Sequence, residues 1–170
     1  MEDLDRLTVE ESKQANKHPI IVILDDVRSM HNVGATFRTA DAFAVRSIFL
    51  CGFTPQPPHR DIHKTALGAT ETVHWQYFSS TVDAVQHAID QGFTVVAVEQ
   101  TTNSISLTDL NWTWDKPIAL VFGNEVNGVV DNVLKMVTQV IEIPQWGSKH
   151  SLNISVSVGV VLWEIARLKQ

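Results

Sequence analysis

The sequence IPQWGSKHSLN occupies residues 143–153 and joins two different kinds of segment. The run QVIEI before it, at 139–143, is strand-like, and residues 154–168 after it are almost entirely apolar. Between them stand residues that punctuate loops or cap helices, namely Pro144, Gly147, Ser148, Ser151 and Asn153. The pattern predicts a strand, a loop rich in free backbone N–H groups and then a helix. An ordinary turn of an α/β domain would contain the same residue types.

Two other loops are equally rich in polar residues. LDDVRSMHNVG, at 24–34, follows the β-branched run PIIVIL, and FGNEVNG, at 122–128, follows IALVF. In open α/β sheets, ligands bind outside the carboxyl ends of the strands. We therefore expect the three loops to meet at one site.

Patterning along the whole chain predicts a single α/β domain. Apolar runs predict strands at 19–24, 45–50, 72–75, 93–98, 118–122 and 139–143. Helical periodicity predicts one helix capped by Asn32 and another that runs from Ser80 to Gly92. The order indicates a mostly parallel sheet of about six strands with helices on both faces. Residues 1–17 are expected to form a short arm and residues 18–170 the domain, with an irregular covering segment at 101–116.

Composition places the chain among ordinary soluble proteins, with 44% hydrophobic and 19% charged residues. No apolar run approaches the roughly 20 residues that a membrane span needs, and the N-terminus is acidic where a signal peptide would be basic. Cys51 is the only cysteine, so an internal disulfide is impossible. These features predict a cytoplasmic protein with no membrane partner.

Charge is unevenly distributed along the sequence. The formal net charge of −6 disfavours a nucleic-acid partner, but residues 28–64 hold five Lys or Arg against two acids. Residues 65–148 hold two bases against nine acids. The positive share thus lies near the first polar loop, as expected for an RNA-binding face. Chance clustering of surface charge explains the same counts equally well.

Several familiar sites can be weighed on residue types alone. The glycines at 123 and 128 do not form a phosphate loop, because valines follow where Lys and Ser or Thr are needed, and no dinucleotide-binding fingerprint is present. His59 and His63 are spaced for a metal, but they have no third strong ligand nearby; phosphate contact or plain surface is the favoured interpretation. Trp146, within the 143–153 loop, is placed to stack on a base or on adenine.

Three motifs closely resemble those of the SpoU/TrmH family of SPOUT RNA methyltransferases, over roughly residues 20–167. They are Asn32-x-Gly34-x-x-x-Arg38, Gly123-Asn-Glu125-x-x-Gly128, and Ile143-Pro144 with Ser151-Leu-Asn153. The resemblance implies a homodimeric S-adenosylmethionine (SAM)-dependent ribose 2′-O-methyltransferase with a C-terminal trefoil knot. It implies tRNA as substrate, with rRNA as the alternative. A noncatalytic RNA- or nucleotide-binding module that has kept the fold is the competing hypothesis.

The resemblance also implies roles for individual residues. The catalytic set is Asn32, Arg38, Glu125, Ser151 and Asn153. The cofactor-binding set is Phe122, Gly123, Asn124, Gly128, Ile143 and Leu152. Basic residues around the loops give an expected RNA-binding set of Arg28, His31, Arg60, Lys64 and Lys149. No metal is expected.

The last helix has almost no polar face before Glu164. A helix that is apolar nearly all round must be buried. Because this one is terminal, we expect a second subunit to cover it; burial inside the monomer is the alternative.

Overall fold

A computed structural model gives the fold and describes residues 8–148 and 151–168. Its strands are β1 (His18–Asp25), β2 (Val45–Cys51), β3 (His74–Phe78), β4 (Thr94–Val98), β5 (Ile105–Ser106), β6 (Ile118–Phe122) and β7 (Gln139–Glu142). They form one parallel sheet in the order β3-β2-β1-β6-β4-β7-β5. The predicted parallel α/β fold is confirmed. The strand that the sequence did not predict is β5, a two-residue element inside the segment expected to be irregular.

Helices cover both faces of the sheet. They are α1 (Val9–Gln14), α2 (Met30–Ala42), α3 (Arg60–Ala66), α4 (Ala69–Thr72), α5 (Thr81–Asp90), α6 (Asp131–Leu134) and α7 (Ile154–Arg167). One apolar core lies between the sheet and α2, α3 and α7, and a second lies between the opposite face and α5 with α6. In the part of the chain that the structure describes, no helix is long and apolar enough to cross a membrane. Cellular location therefore stays a prediction.

Strand β1 lies at the centre of the structure. Its side chains alternate between the two cores, with Ile20, Val22 and Leu24 on one face and Ile21 and Ile23 on the other. Burial on both faces explains why the run is uniformly apolar rather than alternating. Leu24 pairs in register with residues near the ends of both neighbours, β2 and β6. The loops that follow β1, β2 and β6 therefore begin side by side.

Two predicted helix boundaries can be compared with their caps. The expectation that Asn32 caps α2 was wrong, because Ser29 is the N-cap and its hydroxyl accepts the Asn32 N–H at 3.3 Å. This arrangement frees the Asn32 carboxamide for contacts with other loops. The boundaries of α5 are confirmed, since Ser80 accepts the Val82 N–H and the chain turns at Gly92 with φ +82°.

The terminal helix is buried on one side only. Its inward face packs against the core that contains α2, through Ile154, Val158, Val161, Leu162 and Ile165. Its outward face is an exposed apolar stripe, defined by Val156, Val160 and Trp163. Burial within the monomer thus accounts for half of the helix, and the expectation of a second subunit stays a prediction. The trefoil knot likewise stays an implication of the resemblance.

Candidate active site

The three polar loops meet at the carboxyl edge of the sheet, as predicted. The Asn32 carboxamide donates from Nδ2 to Glu125 Oε1 at 2.8 Å. Asn153 donates from its own Nδ2 to Asn32 Oδ1 at 3.1 Å. One residue from each motif therefore joins a single hydrogen-bonded chain, although Asn32 and Asn153 are 121 positions apart in sequence.

Each amide in this chain has little freedom to turn. Asn153 caps α7, since its Oδ1 accepts the Ser155 N–H at 2.9 Å and the Ser155 hydroxyl at 2.7 Å. Asn32 lies in the first turn of α2 and uses both ends of its carboxamide in the chain. Polar groups held in this way need little reorganisation when a ligand arrives, which is the condition for strong electrostatic assistance.

A cleft of about 350 Å³ opens beside this chain. It lies between the loop at 123–130 and the loop at 143–153, and it has the size of an ordinary small-molecule site. All the residues predicted to bind a cofactor line it: Phe122, Gly123, Asn124, Gly128, Ile143 and Leu152. Glu125 and Ser151, from the predicted catalytic set, line it as well.

The cleft is acidic. Carboxylates of Glu99, Glu125 and Glu142 line it, and none of the described lining residues is Lys or Arg. Such a lining favours a ligand that carries positive charge and disfavours one that carries several phosphates. The charge therefore agrees with the exclusion of a phosphate loop that the sequence suggested.

The shape of the 123–130 loop depends on its own side chains and glycines. Asn124 Oδ1 accepts the N–H groups of Val126 and Asn127, both at 2.8 Å, so this side chain stabilises the loop. Gly128 has φ +65°, and a Cβ on Gly123 would overlap the backbone of Gly128 and Val129. The motif therefore needs glycine at both ends for steric reasons.

Comparison with known proteins matches this arrangement to one family. The model of the SpoU rRNA methylase family matches residues 19–163, which is most of the chain. The chain belongs to this family. It is 31% identical over 155 residues to the tRNA (guanosine(18)-2′-O)-methyltransferase of Aquifex aeolicus, covering 89% of this chain and 70% of that protein.

Solved structures give the same result for the fold of this SpoU family member. An AdoMet-bound rRNA methyltransferase from Sinorhizobium meliloti superposes with a TM-score of 0.82 at 27% identity, over 92% of this chain and 59% of that one. A structure solved for insight into the 2-OH methylation of C/U34 on tRNA superposes with a TM-score of 0.77 at 25% identity, over 88% of this chain and 95% of that one.

Two carboxylates that hold the 123–130 loop of this SpoU family member were missed from the sequence. Glu99 Oε2, after β4, accepts the Val129 N–H at 3.0 Å, and Asp25 Oδ2, at the end of β1, accepts the Val130 N–H at 3.1 Å. Strands β4 and β1 flank β6, so successive loop amides are held from both sides. An acid directly after a buried apolar run was the available signal.

Asp25 is buried, and this desolvation raises the pKa of its carboxyl above the ordinary value. The hydroxyl of Thr81 donates to its Oδ1 at 2.5 Å and partly offsets the effect. Burial likewise raises the pKa of the neighbouring Cys51 thiol to about 12, so the chain's only cysteine stays a neutral thiol. Asp25 thus supports the loop, and neither Asp25 nor Cys51 lines the cleft.

Arg38 is the predicted catalytic residue that the structure leaves apart from the others. It is exposed on α2 and does not line the cleft. Six residues beyond Asn32, it lies about 9 Å further along the helix axis. Within the described residues Arg38 forms no ion pair, and the nearby Asp41 accepts instead, through Oδ1, from the Thr72 hydroxyl at 2.6 Å.

Gly34, the glycine of the first motif, has a packing role. A Cβ on Gly34 would overlap the Thr65 side chain and the Ile62 carbonyl oxygen, so glycine lets α3 approach α2 closely. The Thr65 hydroxyl also donates to the His31 carbonyl at 3.1 Å. Together these contacts place the last turn of α3 beside the start of α2.

The expected RNA-binding residues are exposed on this side of the molecule. Arg28, His31 and Arg60 are exposed, and Lys64 pairs with Asp61 at 2.9 Å, which lowers the pKa of that carboxyl. Lys149 lies outside the described residues. His59 uses its Nδ1 to cap α3, and no cluster of metal-binding side chains occurs in residues 8–148 and 151–168.

Proposed function

We propose that this protein transfers a methyl group from SAM to a ribose 2′-hydroxyl of RNA, and that the RNA is a tRNA. The observation that carries the proposal is the chain from Asn153 through Asn32 to Glu125, which stands at the rim of an acidic cleft. Two of the three relatives described above are named for tRNA methylation.

The residues of the cleft fit SAM. The cofactor bears a sulfonium and an ammonium group, and Glu99, Glu125 and Glu142 provide compensating negative charge. Apolar side chains of Ile143 and Leu152 suit its adenine ring, and the loops provide backbone amides for its polar atoms. When bound, SAM supplies an activated methyl group.

The chain's own residues then serve the ribose. Transfer to a hydroxyl requires alignment, loss of the proton and stabilisation of negative charge on the oxygen. Asn32 and Asn153 are held rigidly enough to orient a ribose at the rim, and Glu125 can accept a hydrogen bond from it through Oε2. Arg38 binds an RNA phosphate and stabilises the developing oxyanion. A phosphate oxygen or water takes the proton.

Binding of SAM to the cleft can be tested with a steric pair of variants. Gly123→Ala should weaken SAM binding roughly 5- to 150-fold, because overpacking against the Gly128 and Val129 backbone typically costs about 1–3 kcal/mol. Isothermal titration calorimetry of each purified variant with SAM measures the change. S-adenosylhomocysteine should bind at the same site.

Gly147→Ala is the matched control. A Cβ there meets nothing within 4 Å, although Gly147 belongs to the other loop of the cleft. It should therefore bind SAM like the wild type. Absence of heat from the wild type at millimolar SAM, or equal affinity in the two variants, would contradict the proposed cofactor site.

We also infer a homodimer built on the exposed apolar stripe of α7. Three large apolar side chains on one helix face are an unusual surface for a soluble chain, and Gly159 and Ser155 beside them permit close approach.

A further inference from the structure

One exposed aromatic ring has no role in the site described so far. Phe53 follows β2, and 76% of its surface is exposed. The guanidinium carbon of Arg28 lies over its ring, 5.6 Å from the centroid. An isolated exposed apolar residue needs no explanation, but an aromatic ring paired with arginine combines the two groups on which nucleic-acid bases stack.

The backbone beneath this ring is held in place. The Phe53 N–H donates to Asp26 Oδ1 at 2.8 Å, and the Thr54 hydroxyl accepts the Val27 N–H at 3.0 Å and donates to the Leu24 carbonyl at 3.2 Å. From the edge strand, the Tyr77 hydroxyl donates to the Gly52 carbonyl at 3.0 Å. The loop after β2 is thus fixed to the loop after β1, and Phe53 is presented outward at little further cost in entropy.

The ring lies on the same edge of the sheet as the cleft. Strand β1 separates β2 from β6, so Phe53 follows a strand about 10 Å from the one that carries Glu125. On the far side of the cleft, Trp146 is 93% exposed in the loop after β7. A base resting on Phe53 would therefore belong to a nucleotide close to the one whose ribose reaches the rim.

Charge favours a polyanion at this end of the edge. Arg28, His31 and Arg60 are exposed here, whereas Glu99, Glu125 and Glu142 line the cleft. The acid nearest to Phe53 is Asp26, and one of its oxygens already accepts the Phe53 N–H. An RNA backbone can approach this side without crossing the acidic cleft.

We propose that Phe53 and Arg28 form a stacking platform for an unpaired base of the RNA substrate. The inference rests on the proposed function and adds a contact to it. Stacking needs only the face of a base, so the platform contributes affinity with little sequence preference. The platform contributes to the affinity for RNA, and the affinity for SAM does not depend on it.

The test compares two fluorescein-labelled single-stranded RNAs, one with its bases and one with abasic sites in the same backbone. Phe53→Ala should raise the Kd for the intact RNA by roughly 5- to 150-fold and leave the Kd for the abasic RNA unchanged. Phe53→Trp should restore the affinity for intact RNA. Fluorescence anisotropy at one fixed, low salt concentration measures the Kd of each protein for each RNA.

Ile89→Ala is the control for loss of an exposed apolar side chain, because Ile89 is 38% exposed near the C-terminal end of α5, at the opposite edge of the sheet. It should bind both RNAs like the wild type. Transfer of labelled methyl to bulk tRNA by the wild type is measured alongside. If that transfer occurs, an unchanged Kd in Phe53→Ala, or an equal loss of affinity for intact and abasic RNA, overturns the platform alone. Absence of that transfer overturns the proposed function and the platform with it.

Discussion

Replacing Arg38 by alanine should lower the single-turnover rate of methyl transfer by about 10²–10³, the usual loss for one preorganised group that stabilises developing negative charge. SAM affinity should stay nearly unchanged, since Arg38 is exposed on α2 and does not line the cleft. Single-turnover kinetics with a competent RNA, together with calorimetry, separate the two effects.

This expectation treats Arg38 as a permanent cation. A guanidinium keeps its proton in proteins, so it is poorly suited to act as a general base. Within the described residues, no acid forms an ion pair with Arg38, which leaves its charge for a phosphate. Its role belongs to the assembled complex of protein and RNA, in which the RNA backbone approaches the open side of the cleft.

Two further variants make the test specific. Arg38→Lys retains charge without the bidentate geometry and should recover part of the rate. Arg46→Ala removes another exposed arginine, at the opposite edge of the sheet, where it lies over the Phe93 ring, and should keep the wild-type rate. If Arg38→Lys is as inactive as Arg38→Ala, and a titration in the wild-type pH–rate profile vanishes in both, a general base at Arg38 becomes the better account.

Val160→Glu should abolish the proposed dimer or unfold the protein. An unpaired charge buried in an apolar interface costs several kcal/mol, which corresponds to a rise of about 10²–10³ or more in the dimer dissociation constant. Light scattering on the purified variant at micromolar concentration should give a mass near the 19.0 kDa of one chain. The wild type should give twice that mass.

Ile89→Glu is a close match for this substitution. Ile89 is 38% exposed and Val160 is 37% exposed, and both lie on helices, but only Val160 belongs to the apolar stripe. Ile89→Glu should remain dimeric. A wild-type mass near that of one chain would show that the stripe does not mediate dimerisation.

The parallel sheet could be predicted because most of its strands are recognisable from local runs of apolar residues. The middle of a central strand buried on both faces, such as residues 20–24 of β1, is apolar at every position, and its neighbour β6 has the same property. Strand order was not predictable, because β6 and β7 lie on either side of β4 for reasons that involve the whole chain. Strand β5 was missed because two residues carry no periodicity.

The parts of the site that the three sequence motifs form could be predicted. The three loops and the residues that line the cleft were predicted correctly. The cap of α2 was not, because Ser29 and Asn32 are both polar residues near the helix start and the sequence does not distinguish them. Glu99 and Asp25 act on a loop far away in sequence, so only the fold reveals them. Phe53 and Arg28 likewise become a pair through loops on adjacent strands.

The most direct test is mass spectrometry of nucleosides from RNA incubated with the protein and methyl-deuterated SAM. Bulk tRNA and bulk rRNA are digested separately, and the position of the label is read from the ribose and base fragments. We expect a deuterated 2′-O-methylnucleoside from the tRNA with wild-type protein, and a lower yield of it with Gly123→Ala but not with Gly147→Ala. A label found only on a base, or no label in either RNA, would contradict ribose methylation at this cleft.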